Sequence, residues 1–170
     1  MEKLKTTVDK VLGLLCIVLF SILVVDVVWQ VFTRLVLHNP STWSEAAATF
    51  IFVWLGFLGA AYMVGERGHM AVEFIVKRTP LNVQRIVGIT AQVIVIAFAV
   101  LVLGWGGTRA TTVAWLQEVS GLPITVGPLY MVMPLSAAFM VFYGLYNIWD
   151  LGKDSTVPDT AVEDELPEVI

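Results

Sequence analysis

Residues 41–73 decide the fold, and they read STWSEAAATFIFVWLGFLGAAYMVGERGHMAVE. The part at 46–65 is twenty residues long and carries no charged side chain. An α-helix rises about 1.5 Å per residue, so this part crosses the roughly 30 Å hydrocarbon core of a bilayer once. The charged turn at 66–69 that follows it marks the opposite membrane surface.

The residues before this apolar stretch predict where its helix begins. Thr42 and Glu45 have the spacing of a capping box, in which each side chain binds a free backbone N–H group at the helix start. Trp43 suits the headgroup layer, because its ring can be buried while its N–H group stays in contact with water. We therefore expect Thr42 to be the N-cap of a helix that starts at one membrane surface.

The composition places the whole chain in the same class. Its 170 residues are 58% hydrophobic and 14% charged, with a mean hydropathy of +0.83. A soluble domain is about half apolar and a quarter charged, so this chain is an integral membrane protein. The single cysteine, Cys16, excludes an internal disulfide and a metal site built on a cysteine pair.

The hydrophobic pattern predicts an all-α integral membrane protein with four transmembrane helices. We call them spans 1 to 4 and expect them at about 11–37, 43–65, 81–107 or longer, and 126–149. They form a transmembrane domain at 1–152, with short helical segments at 1–10 and 70–78 lying on the membrane surface. Residues 153–170 carry six carboxylates and no aromatic residue, so we expect a disordered, cytoplasmic, acidic tail.

Two irregularities are expected inside the spans. The helical pattern of span 3 continues past residue 107, which requires a strong tilt, a break near 104–107 or a protruding end. In span 4, Pro134 removes one backbone hydrogen bond and is expected to kink the helix.

Basic residues predict the orientation, since short loops rich in lysine and arginine stay in the cytoplasm. One membrane side carries only Arg34 and Arg109. The other side, which holds both termini, carries eight basic residues: Lys3, Lys5, Lys10, Arg67, Lys77, Arg78, Arg85 and Lys153. We therefore expect both termini to be cytoplasmic.

The residue inventory argues against an enzyme. His38 and His69 fall on opposite membrane faces, so they cannot hold a haem between two helices. The sequence contains no phosphate-binding glycine loop, no nucleophile motif and no cluster of metal ligands. We therefore expect no catalytic residue, no cofactor, no bound metal and no nucleic-acid partner.

Polar residues within span 1 are candidates for function. Asp26, Gln30 and Arg34 are spaced at i, i+4 and i+8, which places them on one helix face. Asp26 lies about 12 Å along the axis from Arg34, and therefore within the hydrocarbon. A carboxyl group at that depth marks a pathway or a buried partner, or else it is protonated and hydrogen-bonded within the chain. Arg34 is expected to extend its charge to the membrane surface.

Two features of span 2 point to contact with another subunit. Glu45 is expected mainly to cap the helix, and it is also a candidate for contact with another subunit. Gly56 and Ala60 are four residues apart, a spacing of small residues that lets another helix approach closely. The spans lack the paired, glycine- or proline-broken helices with which carriers hold substrate and ions, so the pattern is that of a scaffold rather than a pump.

A series of short motifs along the chain resembles one known family. The motifs are Asp26-Val27-Val28 followed by Arg34, Trp43-Ser44-Glu45, residues 52–61, residues 68–73, Arg109, Gly121-Leu122-Pro123 and Pro134. Their order, spacing and four-span topology resemble the small membrane subunit of tripartite ATP-independent periplasmic (TRAP) transporters, the DctQ-type family. The resemblance covers nearly the whole chain except its tail.

The chain departs from the family pattern at two places. The family often has a second glutamate after the position of Glu45, where this chain has Ala46, which weakens the case for a site of two carboxylates. After residues 68–70 the family often has Arg-Val-Asp, where this chain has Ala71, Val72 and Glu73.

The resemblance implies a transport complex. It implies a large membrane subunit that carries the substrate and sodium sites and moves in an elevator-like way. It also implies a periplasmic binding protein that captures a carboxylate solute, such as sialic acid or a C4-dicarboxylate. The small subunit, in a bacterial inner membrane, would brace the static part of the large one and help to dock the binding protein. The residues expected to face these partners are Asp26, Arg34, Trp43, Ser44, Glu45, Gly56, Ala60 and Arg109.

Two other functions stay open from the sequence. One is a self-sufficient, proton-coupled carrier or channel that works as an oligomer, with Asp26 as its proton site. The other is a structural or assembly protein unrelated to transport. Transport by the purified chain alone would establish the carrier, whereas co-purification with a much larger membrane protein would favour the transporter subunit.

Overall fold

The computed structural model describes residues 2–39, 41–66, 81–119 and 124–153. The helices are α1 (Glu2–Leu35), α2 (Thr42–Gly65), α3 (Leu81–Phe98), the π-helix π1 (Ala99–Gly106), α4 (Gly107–Ala114), α5 (Gly127–Tyr130) and α6 (Val132–Lys153). Four stretches are long and apolar enough to cross a membrane: Lys3–Leu35, Trp43–Gly65, Ile86–Ala114 and Gly127–Leu151. These stretches are spans 1 to 4, and the predicted all-α architecture with four spans is confirmed.

Span 1 begins earlier than predicted. Because α1 runs without a break from Glu2, the start predicted at residue 11 is too late. Lys5 and Asp9, one turn apart, form an ion pair with 2.8 Å between Nζ and Oδ2. Asp9 also accepts a hydrogen bond from the hydroxyl of Tyr143 in α6 at 2.7 Å. These contacts hold the first turns of α1 against the bundle, so residues 2–10 extend span 1.

The start of span 2 differs from the predicted capping box. The helix begins at Thr42, so its N-cap residue is Ser41, and the Ser41 side chain does not bond to the free N–H groups. Instead the hydroxyls of Ser41 and Ser44 are hydrogen-bonded to each other, and Ser44 Oγ lies 3.0 Å from the carbonyl oxygen of Ser41. The prediction of Thr42 as N-cap is therefore wrong by one residue. Glu45 remains in the first turn, where its negative charge interacts favourably with the positive end of the helix dipole.

Span 3 is one continuous helix built from α3, π1 and α4. It is not broken at the glycines near 104–107, because the chain passes them as a π-helix, whose turns are wider than those of an α-helix. The glycine that follows π1 lies close to span 4: a Cβ atom on Gly107 would be 2.6 Å from Cβ of Met133. Span 3 therefore extends past residue 107, as the longer of the two predicted ranges has it, and its helix ends at Ala114.

Span 4 has an irregular residue close to its proline, and the predicted kink itself stays a prediction. The helix stops being regular at Met131, between α5 and α6, one turn before Pro134. Proline has no N–H group to donate to the carbonyl four residues earlier, which is that of Tyr130. The next regular bond, from Leu135 N to Met131 O, is 3.3 Å long.

The described spans pack mainly in the order 1, 2, 4, 3, which we call a row, and span 1 also reaches span 4 where Tyr143 donates to Asp9. Span 1 packs on span 2, span 2 on span 4, and span 4 on span 3, so spans 1 and 3 form the two edges of the row. Glycine allows the helices of spans 3 and 4 to approach, since a Cβ atom on Gly144 would lie 2.6 Å from the Ile96 side chain. The buried core along the row consists of Leu12, Leu58, Ala61, Ala99, Leu103, Val132, Ala137, Met140 and Tyr143.

The bundle has two distinct ends. We call the end where α1 begins and α6 finishes the terminal end, and the other the opposite end. The opposite end holds the turn between spans 1 and 2, and the connection between spans 3 and 4, in which Glu118 and Thr125 form an antiparallel bridge. The surface segment predicted at 70–78, the motif at 121–123 and the tail beyond 153 lie outside the described residues.

Candidate partner-binding surface

A continuous exposed stripe runs along the full length of α2. Its members follow one another at intervals of three or four residues, the spacing of a single helix face: Glu45, Thr49, Phe52, Gly56, Ala60 and Met63. From first to last they are eighteen positions apart, or about 27 Å at the helical rise per residue, so the stripe crosses most of the hydrocarbon. We call this surface the α2 stripe. Three of the predicted partner-binding residues, Glu45, Gly56 and Ala60, lie on it.

The middle of the α2 stripe is a shallow depression between two large side chains. Phe52 is 66% exposed and Met63 is 55% exposed, and the small residues Gly56 and Ala60 lie between them. No atom comes within 4 Å of a Cβ atom built on Gly56. These small residues therefore serve no packing among the described spans, and their side of α2 is free to receive another helix or lipid.

Within the chain, α2 packs through other residues. Leu58 and Ala61 are fully buried in the core. Gly65 is in close contact with span 4, because a Cβ atom there would lie 2.6 Å from the ring of Tyr143. Internal packing and the α2 stripe thus occupy separate faces of one helix.

Asp26 lies in the middle of the packed face of α1. The residues of α1 that are buried or half-buried along the span recur every three or four positions: Leu12, Cys16, Leu19, Leu23, Asp26, Gln30 and Thr33. Gly13 of this helix lies next to Tyr62, with 3.5 Å between its ideal Cβ position and the Tyr62 ring. Since α1 and α2 run antiparallel, this register puts Asp26 level with about residue 49 of α2, well inside the membrane.

The Asp26 carboxyl group is only partly satisfied. The residue is 8% exposed, and its Oδ2 atom is buried with no hydrogen-bond partner among the described residues. A buried polar oxygen without a partner costs free energy, most of all at membrane depth, where water cannot replace the missing donor. Because Oδ2 is buried on the packed face, an outside donor could reach it only if the side chain or its neighbours moved.

Arg34 does not share the packed face of α1 with Asp26. It is exposed, and the residue that faces inwards at this level is Thr33, which is 3% exposed. The reason is that inward positions recur at intervals of about seven residues, and 26 plus seven is 33. Asp26 and Gln30 therefore lie on the packed face, whereas Arg34, at the end of α1, is exposed.

The predicted partner residues at the turn between spans 1 and 2 are partly exposed and partly buried. Trp43 is 47% exposed and Glu45 is exposed, so both can touch another protein. Ser44 is fully buried and hydrogen-bonded to Ser41, so it shapes the turn and cannot be a direct contact. Trp54, eleven residues further along α2 than Trp43, donates its indole N–H to the carbonyl of Pro128 at 3.2 Å and fixes span 2 against span 4.

Arg109 lies apart from these residues. It is exposed on span 3, at the other edge of the row from span 1. Its guanidinium carbon is 4.9 Å from the centroid of the Trp105 ring, close enough for a cation–π interaction. The structure therefore does not bring Arg109 together with Asp26 and Arg34.

A set of polar contacts at the terminal end was not predicted from the sequence. Besides the Lys5–Asp9–Tyr143 chain of contacts, Asn147 donates from Nδ2 to the carbonyl of Val64 at 3.1 Å. The spacing of Lys5 and Asp9 was a usable signal, since opposite charges four residues apart meet on a helix. The partners in α6 were not recognisable, because their contact depends on which spans are neighbours.

The described residues include no group of three or more histidine, cysteine, aspartate or glutamate side chains that could hold a metal ion. The features that the described spans do show are the α2 stripe with its small residues and one buried carboxyl oxygen without a hydrogen-bond partner, Oδ2 of Asp26.

Comparisons with known proteins agree with this character. The family model described as "Tripartite ATP-independent periplasmic transporters, DctQ component" matches residues 22–153. The sialic acid TRAP transporter small permease protein SiaQ of Vibrio cholerae is 25% identical over 155 residues, which are 90% of this chain and 88% of that protein. The C4-dicarboxylate TRAP transporter small permease protein DctQ of Pseudomonas aeruginosa is 40% identical over 65 residues, which are 38% of this chain and 31% of that protein.

A third relative is much longer than this chain. The sialic acid TRAP transporter permease protein SiaT of Haemophilus influenzae is 26% identical over 130 residues. The match takes in 76% of this chain but only 20% of that protein. In SiaT, a segment similar to this chain is thus part of one long permease polypeptide.

Proposed function

This chain belongs to the DctQ family of TRAP transporter components, and from that premise we propose that it braces a large transport subunit during sodium-driven uptake of a carboxylate solute. It is a small permease subunit with four membrane-spanning helices. In this proposal it is non-catalytic, it resides in a bacterial inner membrane, and both of its termini are cytoplasmic. Sialic acid and C4-dicarboxylates are the solute classes that the names of its relatives support.

The observation that carries the proposal is the match to SiaT. A segment similar to most of this chain makes up one fifth of that longer permease, which supports a role beside a much larger membrane protein. The packing is consistent with this role, since no described span covers the α2 stripe. A row does offer long faces on which another subunit can rest.

The α2 stripe is the surface that we assign to the large subunit. A helix of the partner would lie in the depression at Gly56 and Ala60, between Phe52 and Met63, as small residues in membrane helices allow close packing. Glu45 and Trp43 would make contacts at the headgroup level, where a charge and an indole are both stable. Asp26 is left out of this contact surface, because its Oδ2 is buried on the packed face of α1.

The opposite end is the part that we assign to the periplasmic binding protein. It carries Arg34 on span 1 and Arg109 on span 3, both exposed, at the two edges of the row. A binding protein that touched both would contact the whole width of the small subunit. This assignment depends on the predicted orientation, which places this end in the periplasm.

The test is co-expression of the tagged chain with the large permease subunit of its own transporter, followed by purification and uptake into vesicles. We expect the two to co-purify, and Glu45→Ala to lower the recovered complex and the uptake rate together, without changing the dependence on sodium. Glu118→Ala, which removes an exposed carboxylate from the connection between spans 3 and 4, is the matched control for recovery of the complex.

Two outcomes would contradict the proposal. Normal complex and normal uptake in Glu45→Ala would remove Glu45 from the interface. Solute-dependent proton uptake by the purified chain alone, abolished by Asp26→Asn, would instead establish the self-sufficient carrier.

A further inference from the structure

Two buried side chains at the contact between spans 3 and 4 each have an oxygen atom without a partner. Gln92 of span 3 is 5% exposed, and Asn147 of span 4 is 1% exposed. Gln92 Oε1 and Asn147 Oδ1 are both buried, and neither has a hydrogen-bond partner among the described residues. A buried oxygen of this kind costs free energy, and the surrounding lipid has no donor to replace the missing one.

The packing register places these two side chains at the same level of the bundle. Spans 3 and 4 run antiparallel, since span 3 starts from the terminal end and span 4 returns to it. Gly88 lies against Leu151, with 3.3 Å between its ideal Cβ position and the Leu151 side chain. Four residues further along span 3, and four residues back along span 4, this register leads to Gln92 and Asn147.

The Gln92 oxygen also lies close to the backbone of span 4. It is 3.8 Å from the ideal Cβ position of Gly144, and Ile96, one turn further along span 3, is 2.6 Å from the same position. Gly144 and Asn147 are three residues apart, so they are neighbours on one helix face. Gln92 Oε1 is therefore about one helical turn from Asn147.

The orientation of the Asn147 amide is fixed by its nitrogen. Its Nδ2 atom donates to the carbonyl of Val64 in span 2 at 3.1 Å. Exchange of the amide nitrogen and oxygen would leave the Val64 carbonyl facing an oxygen, which cannot donate. The two atoms are separate branches of one planar group, so Oδ1 is directed away from the bond to span 2. Asn147 therefore cannot satisfy its own oxygen by rotating.

The missing donor has to be small. Both oxygens are closed to the outside, so a lipid headgroup or another protein cannot reach them while the spans stay packed. A metal cation such as Ca²⁺ takes about six to eight oxygen ligands, and these two side chains offer one unpartnered oxygen each. Water has two O–H donors, one for each oxygen, and buried waters in proteins bind to polar groups that otherwise lack partners.

We propose that one buried water molecule lies between spans 3 and 4 and donates one hydrogen bond to Gln92 Oε1 and the other to Asn147 Oδ1. Asn147 is four residues before the end of span 4, or about 6 Å of helix, so the path for water from the headgroup layer is short. Because Asn147 is also bonded to Val64, the water completes a polar link through spans 2, 4 and 3 at one level. This site does not depend on the proposed role in transport.

The test is NMR of the purified full chain, labelled with ¹⁵N, in deuterated detergent micelles. Water is the probe, through magnetisation transfer from its signal to the side-chain NH₂ groups of Gln92 and Asn147. In the unsubstituted chain we expect both groups to show the signal of a bound, slowly exchanging water. Gln92→Met should abolish the signal at Asn147, because methionine is similar in shape but has no carbonyl oxygen to hold the water.

Gln30→Met is the matched control, since Gln30 is a half-buried glutamine in span 1, at the other edge of the row. It should leave the water signals of Gln92 and Asn147 unchanged. Absence of these signals in the unsubstituted chain would overturn the proposal, and this measurement decides alone if Gln92→Met does not fold. Persistence of the signal at Asn147 in a folded Gln92→Met would also overturn it.

Two further results would overturn the proposal by identifying another donor. A direct magnetisation transfer between the Gln92 and Asn147 side chains, without a water signal, would show that the two amides pair with each other. Shifts of both amide signals on addition of sodium chloride, absent with choline chloride, would show a bound cation.

Discussion

At the terminal end, polar side chains join different spans of the bundle. Tyr143 of span 4 donates to Asp9 of span 1, and Asn147 of span 4 donates to the backbone of span 2 at Val64. Asp9 is also paired with Lys5. Polar groups here are used to hold the chain together.

At the opposite end, the charged and aromatic side chains are largely left exposed. Arg34, Trp43 and Glu45 around the turn between spans 1 and 2 all face outwards. Span 3 reaches this end with Trp115 half exposed and Leu116 89% exposed. Backbone bonds join spans 3 and 4 there, and the Trp54 indole joins span 2 to span 4 at Pro128.

The difference between the ends separates two tasks of one small bundle. A membrane bundle gains little from apolar contact between helices, because lipid is equally apolar, so its own stability depends on close packing and hydrogen bonds. Those are concentrated at the terminal end and along span 4. The exposed side chains of the opposite end and of the α2 stripe make no such contacts among the described residues, and in our proposal they face other proteins.

The largest expected effect comes from filling the α2 stripe. Ala60→Leu adds bulk to the depression that we assign to the large subunit, and overpacking of such a contact should lower the affinity of the complex by about tenfold or more. The measurement is the amount of large subunit recovered with the tagged small subunit at increasing detergent.

Ala97→Leu is the control for this change, since Ala97 is exposed on span 3 at an edge of the row. It should leave assembly intact. Equal recovery of the complex from Ala60→Leu and Ala97→Leu would show that the α2 stripe faces lipid.

Next in size is a change at the terminal end that should harm the fold instead. In Gly65→Ala the new methyl group would lie 2.6 Å from the Tyr143 ring, so Tyr143 must move. We expect a loss of about 1–3 kcal/mol in the free energy of unfolding, measured by denaturant titration in mixed micelles.

Gly56→Ala is the matched control on the same helix. Nothing lies within 4 Å of the added atom, and alanine favours a helix over glycine by up to about 1 kcal/mol. It should therefore leave stability unchanged or raise it. If both variants behaved alike, internal packing and the α2 stripe would not be separate faces.

A smaller effect is expected from a single hydrogen bond at the terminal end. Tyr143→Phe removes the donor to Asp9, which should cost about 1–2 kcal/mol because the bond is to a charged group that is partly buried. Thermal unfolding of the purified chain measures it.

The control for this change is a double-mutant cycle with Asp9→Asn. The two substitutions should be less than additive, because each removes the same bond. Additive effects would mean that Asp9 and Tyr143 act independently and that the terminal end is not held by this contact.

Much of the fold could be predicted from local sequence, without knowing which spans pack together. Twenty uncharged residues at 46–65 are long enough for one bilayer crossing and for little else, so span 2 followed from length and composition alone. Pro134 lacks an N–H group in any context, so an interruption in span 4 was predictable as well. Boundaries were harder, because Ser41 rather than Thr42 caps α2 and both are residue types that favour the N-cap.

For the candidate site, the sequence could predict which residues belong to it but not how exposed they are. Glu45, Gly56 and Ala60 were recognisable as a charge at a helix start and a pair of small residues, but their exposure was not, since it depends on which face of α2 the other spans cover. Arg34 and Thr33 show the same point, as a change of one position along the helix exchanges an exposed residue for a buried one.

The sequence by itself determined that this is a four-span membrane protein, because the hydrophobic effect and the demand for internal backbone hydrogen bonds act on each segment separately. The tertiary structure alone decided the order of the spans in the row. It also decided which polar groups meet within the chain and which are left for a partner. Those outcomes depend on contacts between residues far apart in the chain, such as Asp9 and Tyr143, and no local pattern specifies them.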